Sequence, residues 1–203
     1  MTKYFKLLLL LPVAFLLMAS SNFFVRDNAG ILNSSTVKMV SQKNAKYQKS
    51  DKHPIVIVET FKNAKRTQPD GLSKASRTVY IVVNQKDNAK TLSIYTSSDL
   101  HTQFTAQVRN NILNYVKNDV NSDDPTVFNH GVQEAFRISV TLIDQYLSLP
   151  KDSIDLSNSH IKQVTNPSDM RIPVTICLLI IVIGLAAFLR FEYVKNKNKN
   201  HLH

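Results

Sequence analysis

Four histidines, His53, His101, His130 and His160, are scattered singly through the middle of this chain, with no spacing that would gather them on one metal ion. A Gly-x-Ser-x-Gly nucleophile elbow, a glycine-rich phosphate loop and a His-Glu-x-x-His helix are all missing. With 4 glycines in 203 residues, a backbone cradle for phosphate is hard to build. Cys177 is the single cysteine, so no intramolecular disulfide forms, and it falls in an apolar stretch where it packs as a small apolar side chain. These patterns name no catalytic residue.

What the residue types do offer is positive charge. The net charge is +10, and the segment 38–77 alone holds 10 basic residues against 3 acidic ones. Lys38, Lys43, Lys46 and Lys49 fall on or near the first expected helix; Lys62, Lys65 and Arg66 follow the first long strand. In a layered α/β domain those two places can border one rim, which predicts a single basic patch. Its partner would be anionic: lipid head groups, an envelope polymer, or an acidic envelope protein. A solvated face on a basic protein is the plainer alternative. Only Tyr47 and Phe61 interleave these charges as aromatics, which argues against nucleic acid.

The two ends of the chain speak about topology. Lys3 and Lys6 precede an apolar run from Leu7 to Met18, and the small residues Ala19 and Ser21 close it. That is the pattern of a secretory signal over 1–21, too short to cross a bilayer core that needs about 20 residues. A second segment, 172–189, is free of charge and reaches roughly 27 Å as a helix. Arg190, Lys195, Lys197 and Lys199 crowd its far side against Glu192. Positive flanks stay in the cytoplasm, so 172–189 reads as one C-terminal transmembrane helix and 190–203 as a basic cytoplasmic tail. The expected location is the cell membrane, single-pass, with the domain outside.

Between the ends lie an extracytoplasmic domain, 22–149, and a polar stalk, 150–171, rich in Ser, Asn and Asp. An extended piece at Phe23–Val25 meets the Asp27–Gly30 turn, and Asn33 or Ser34 caps a helix bearing Val37, Val40 and Tyr47, its stripe interrupted by Asn44. Ile55–Val58 reads as a buried strand, and Thr78–Val83 and Thr91–Thr96 as a hairpin turning at Asp87-Asn88. Leu100, Phe104, Val108, Ile112 and Tyr115 share one helical face. Asp124-Pro125 opens a last helix with a buried stripe through Phe128, Val132, Phe136 or Ala135, Val140, Ile143 and Leu147. The expected fold is α/β: a small mixed sheet flanked by helices in an α/β/α layering, plus the transmembrane helix.

Phe24-Val25-Arg26-Asp27-Asn28-Ala29-Gly30-Ile31-Leu32 resembles the opening of the TPM domain, a hydrophobic–Asp–Ala–Gly–hydrophobic segment before the first helix. Ile55–Val58, the hairpin Arg77–Val83 and Thr91–Tyr95, and Asp123-Asp124 with Phe128 and Gly131 follow that family's order of elements. Phe61–Ser76 is short and basic where the family places a helix, and Ser76-Arg77-Thr78 and Ser97 stand where its glycines do, so the chain resembles a shortened, divergent member. The resemblance implies a membrane-anchored binding or accessory domain of an envelope assembly. Because some members bind calcium, and one plant member resembles an acid phosphatase, it also implies a candidate calcium pair, Asp27 and Asp87. Metal-dependent phosphatase chemistry and a purely structural envelope role are the rivals. The ordinary readings of these carboxylates are Asp27 and Asp87 as turn residues and Asp124 as a helix cap.

Overall fold

A computed structural model describes residues 23–64, 68–167, 179–186 and 188–190. The chain divides into two units between Asn166 and Pro167. In the first, strand β1 (Val25–Asp27) leads through a tight turn into helix α1 (Ser34–Tyr47), followed by β2 (Ile55–Lys62), β3 (Thr78–Lys86) and β4 (Ala89–Thr96). Helices α2 (Ala106–Val120), α3 (Pro125–Leu147) and α4 (Asn158–Thr165) complete it. The sheet order is β1-β2-β3-β4, with β1 and β3 parallel to β2 and β4 antiparallel to β3. The fold is α/β with a small mixed sheet.

Local chemistry sets the element ends. The Asn33 side chain accepts the Thr36 N–H at the start of α1, and Thr105 accepts Val108 N–H at the start of α2. Asp124 accepts both Thr126 and Val127 N–H groups with Pro125 just inside α3, where a missing N–H is harmless. Asp87 takes the left-handed conformation, φ +53°, that a two-residue hairpin turn demands and that aspartate tolerates. β2 runs four residues and β3 three residues beyond the apolar cores that announce them.

Helices α1, α2 and α3 pack on one face of the sheet, and α4 lies against α2 and α3. Val56 and Val58 of β2 and Val79, Ile81 and Val83 of β3 share one core with Val40, Ile112, Val116, Phe128, Val132, Phe136 and Ile143. The odd-numbered partners in β2 and the even-numbered ones in β3 point the other way, where Ile57, Tyr80 and Val82 meet Leu72 from a short 3-10 turn in the β2–β3 connection. The expected α/β/α layering is corrected accordingly: among the described residues of the connection between β2 and β3, only that 3-10 turn covers the second face.

Two further expectations change. Leu100 and Phe104 are buried but lie before α2, which starts at Ala106 and buries Ile112, Val116 and Val120, while Tyr115 is 47% exposed. Residues 150–166 are not a free stalk: Leu156, Ile161 and Val164 enter the core, and α4 packs on α2 and α3. Polar composition concealed three apolar residues at helical or cap positions. Gly131 allows α3 to press on α2, since a Cβ there would stand 2.8 Å from the Asp119 Cβ and 3.0 Å from the Val120 backbone nitrogen.

In the second unit, residues 179–186 and 188–190 are helical, and Leu179, Ile180, Ile181, Val182, Ile183, Leu185, Phe188 and Leu189 are all exposed. No helix among the described residues is long and apolar enough to cross a membrane. The signal segment 1–21, residues 172–178 of the expected span and the tail beyond Arg190 lie outside the described residues.

Candidate functional site: a lysine-rimmed cleft over a buried ion cluster

Lys43 lies in the last turns of α1 at a position of the buried stripe, three residues after Val40 and four before Tyr47. Its side chain is only 2% exposed. The ammonium donates to Asp144 Oδ2 at 2.5 Å, Asp152 Oδ2 at 3.1 Å and Asp155 Oδ2 at 3.2 Å. Tyr47 donates its hydroxyl to Asp144 Oδ1 at 2.7 Å. Asp144 comes from the end of α3, whereas Asp152 and Asp155 come from the segment leading to α4, so one amine ties three stretches of chain together. Asp152 is braced by the Ile154 N–H and by Lys46 at 3.0 Å.

The charges are set by this geometry. Burial pushes the Asp144 carboxyl up to about 6, against the pull of Lys43 and Tyr47. Burial alone would lower Lys43, but the hydrogen bond and charge of Asp144 outweigh it and hold the amine above its usual range. Asp152, although partly buried, is held low by the Ile154 N–H and by Lys46 and Lys43. Burial and the neighbouring carboxylates push the Tyr47 phenol far up. At neutral pH the Lys43 ammonium therefore stands beside the Asp144 and Asp152 carboxylates and the neutral Tyr47 phenol.

A pH effect follows with a definite sign. A carboxyl near 3.8 in the unfolded chain and near 6 in the fold binds its proton more tightly when folded. The stability Asp144 contributes is thus present below about pH 4 and lost as pH rises through about 6. Comparing wild type with Asp144→Asn by urea unfolding, the difference in stability should shift against wild type by up to roughly 3 kcal/mol between pH 4 and 6.5. A difference flat across that window would show that Asp144 ionises as it does in the unfolded chain.

Above the cluster opens a cleft of about 580 Å³. Leu147, Leu149 and Pro150 supply its apolar side, and Lys46, Lys49, Lys52 and Lys151 stand around it with Ser50 and Asp51. All four lysines are exposed. The cleft sits at the end of the sheet where the parallel strands begin, because α1 ends there and β2 starts just afterwards at Ile55.

The other expected site residues fall elsewhere. Lys43 is neutralised inside the domain and presents no charge to a partner. Lys38 is exposed near the start of α1, and Lys62 ends β2, whose eight residues separate it by roughly 23 Å from the cleft end. The single patch is thereby corrected: Lys46 and Lys49 stay with the cleft, whereas Lys38 and Lys62 belong to the opposite end. Lys65 and Arg66 lie outside the described residues.

Asp27 and Asp87 do not form a pair. Asp27 aligns with Thr60 and, through it, with Val83; Asp87 is two strands across and four residues further on, roughly 16 Å away at strand spacings. The Asp27 carboxylate is already used, accepting the Ile31 and Leu32 N–H groups at 3.1 and 3.0 Å and the Thr60 hydroxyl at 2.5 Å. Calcium needs several oxygens at about 2.3–2.6 Å, which this pair cannot supply. Among the described residues no group of three or more His, Cys, Asp or Glu is placed to hold a metal. His130 instead meets Asp119 at 2.8 Å and His160 meets Tyr115 at 2.9 Å.

The sequence reading missed Asp144, Asp152 and Asp155, and took Lys43 for a surface residue. The available signal was periodicity: Lys43 shares a stripe with Val40 and Tyr47, and Asp144 follows Val140 by four. A lysine and an aspartate on two apolar stripes must find each other or stay unpaired. Set against known proteins, the chain matches no protein-family model and no curated protein.

Proposed function

We propose that this chain is a membrane-anchored, extracytoplasmic binding domain, a divergent relative of the TPM family, which serves an envelope assembly by holding an acidic protein segment. The lysine-rimmed cleft carries the reading. Lys49 and Lys52, exposed and without an ion-pair partner among the described residues, would attract carboxylates, and the cleft's apolar side, Leu147, Leu149 and Pro150, suits a peptide better than a uniformly charged polymer. Residues 172–189 would form the anchor. The described part is a helix whose large apolar side chains are all exposed, an arrangement that lipid accommodates and water penalises.

The test uses the full chain in neutral detergent and a fluorescent peptide alternating glutamate and leucine. Binding should weaken steeply between about 0.1 M and 1 M salt, as the screening length falls from about 10 Å to about 3 Å. Lys49→Glu with Lys52→Glu should weaken it about tenfold or more, and Lys38→Glu should leave it unchanged. Affinity indifferent to salt and to the double substitution would remove the cleft from the function. External protease on intact cells should spare a C-terminal epitope, and its loss would overturn the topology.

A further inference from the structure

A second cleft, of about 590 Å³, lies between the start of α2, the last turns of α3 and the whole of α4. Its floor is apolar: Leu142 and Ile161 are buried there and Val108 half-buried. Its rim holds Gln103, Gln145, Lys151 and Lys162, and none of its described lining residues carries a carboxylate. Lys151 donates to Asn158 Oδ1 at 2.7 Å, an oxygen that also accepts from Gln145 at 3.2 Å. Asn158 and Lys162 are four apart on α4, so they share one helical face, and the two ammoniums can close on the same anion. Neither lysine forms an ion pair among the described residues, whereas Lys43, Lys46, Lys90, Arg26 and Arg137 all do.

Two cations without a counter-ion among the described residues, amide donors beside them and an apolar floor beneath describe a receptor for an anionic amphiphile. Position selects the source. Lys162 is followed four residues later by Asn166, where this unit ends, and the charge-free segment begins at Ile172. Five residues reach at most about 18 Å, so an anchored chain keeps α4 close to the bilayer surface. We infer that this cleft holds the phosphodiester of an anionic phospholipid headgroup from the membrane in which the chain is anchored, with Lys151 and Lys162 on the phosphate oxygens and the amides on the headgroup hydroxyls. The inference rests on the anchored reading above, and adds a second, lipid-specific contact to a tether that alone fixes no orientation. A headgroup held there would turn the domain so that α4 faces the bilayer.

The experiment takes the full chain in uncharged detergent micelles and titrates short-chain phosphatidylglycerol, with short-chain phosphatidylcholine and inorganic phosphate as parallel arms. Calorimetry should show saturable binding of the phosphatidylglycerol alone. Lys151→Gln with Lys162→Gln should weaken it by about tenfold or more, the loss expected for two charge-assisted contacts. Both lysines are exposed, so the variant should keep the wild-type urea midpoint. Lys49→Glu with Lys52→Glu should bind the lipid as wild type does. Phosphatidylglycerol binding untouched by the Lys151 and Lys162 substitutions would overturn the site. Equal affinity for inorganic phosphate would overturn the lipid assignment. An alkaline carbonate wash of membranes separates this from the reading beneath it: release of the chain overturns the anchor, whereas retention without headgroup binding overturns only the cleft.

Discussion

Lys43→Met should cost about 3–5 kcal/mol of stability in urea unfolding. Methionine replaces the aliphatic stem and lacks only the terminal ammonium position, so the loss is mainly electrostatic rather than a cavity. Asp144 and Asp155 are each 2% exposed in their side chains and would be left facing one another without their cation. The deficit should shrink as pH falls from 7 to about 5, because carboxylates deprived of an ammonium rise in pKa and escape the repulsion by taking up protons. Hydrogen exchange should report the same event locally. The Ile154 N–H, held by Asp152, and the Leu156 N–H, held by the Thr141 hydroxyl at 2.9 Å, should lose protection first as residues 150–156 come away from α1. A deficit under about 1 kcal/mol, unchanged with pH, would mean that water reaches the carboxylates and that the cluster is a surface ion pair.

Asn44→Ala should cost roughly 2–4 kcal/mol through a different mechanism. In β2 the backbone of Val56 points to the β1 side, but β1 pairs only with residues 58–60. The Asn44 amide stands in for the missing strand. Its Oδ1 accepts the Val56 N–H at 2.9 Å, and its Nδ2 donates to the Val56 carbonyl at 2.8 Å and to the Val40 carbonyl at 2.8 Å. Alanine leaves both Val56 groups buried without partners, and each orphan costs about 1–3 kcal/mol. Leucine should do no better despite its apolar area, because the penalty lies in the backbone. The Val56 amide should change from among the slowest-exchanging to one that follows local opening. Persistent protection of that amide in Asn44→Ala, with stability within about 1 kcal/mol of wild type, would show that another group replaces the side chain.

These two residues also mark where reading along the chain stops working. Asn44 shows in the sequence only as an interruption of an apolar stripe, and Lys43 only as one more positive charge. Both are buried because α1 lies across β2 and α3, and that placement is not a property of any local window. The stretch 150–166 misled in the opposite direction. Its composition is that of a spacer, yet Leu156, Ile161 and Val164 suffice to dock it once α2 and α3 offer an apolar seam.

Local chemistry was legible wherever the determining atoms are near neighbours in sequence. Asn33 before α1, Asp124-Pro125 before α3, the β-branched runs of β2 and β3, and the Asp87 turn are each settled by sterics and hydrogen bonds within a few residues. From these the α/β class and the mixed sheet follow. The tertiary structure alone decided that α1, α2 and α3 pack on one face of the sheet, that Asp27 is consumed by Ile31, Leu32 and Thr60 while Asp87 stands two strands away, and that three aspartates converge on Lys43. Each of these joins residues through space over dozens of positions. Charge and burial there depend on which surfaces meet, and the period of a single segment carries no information about its partner.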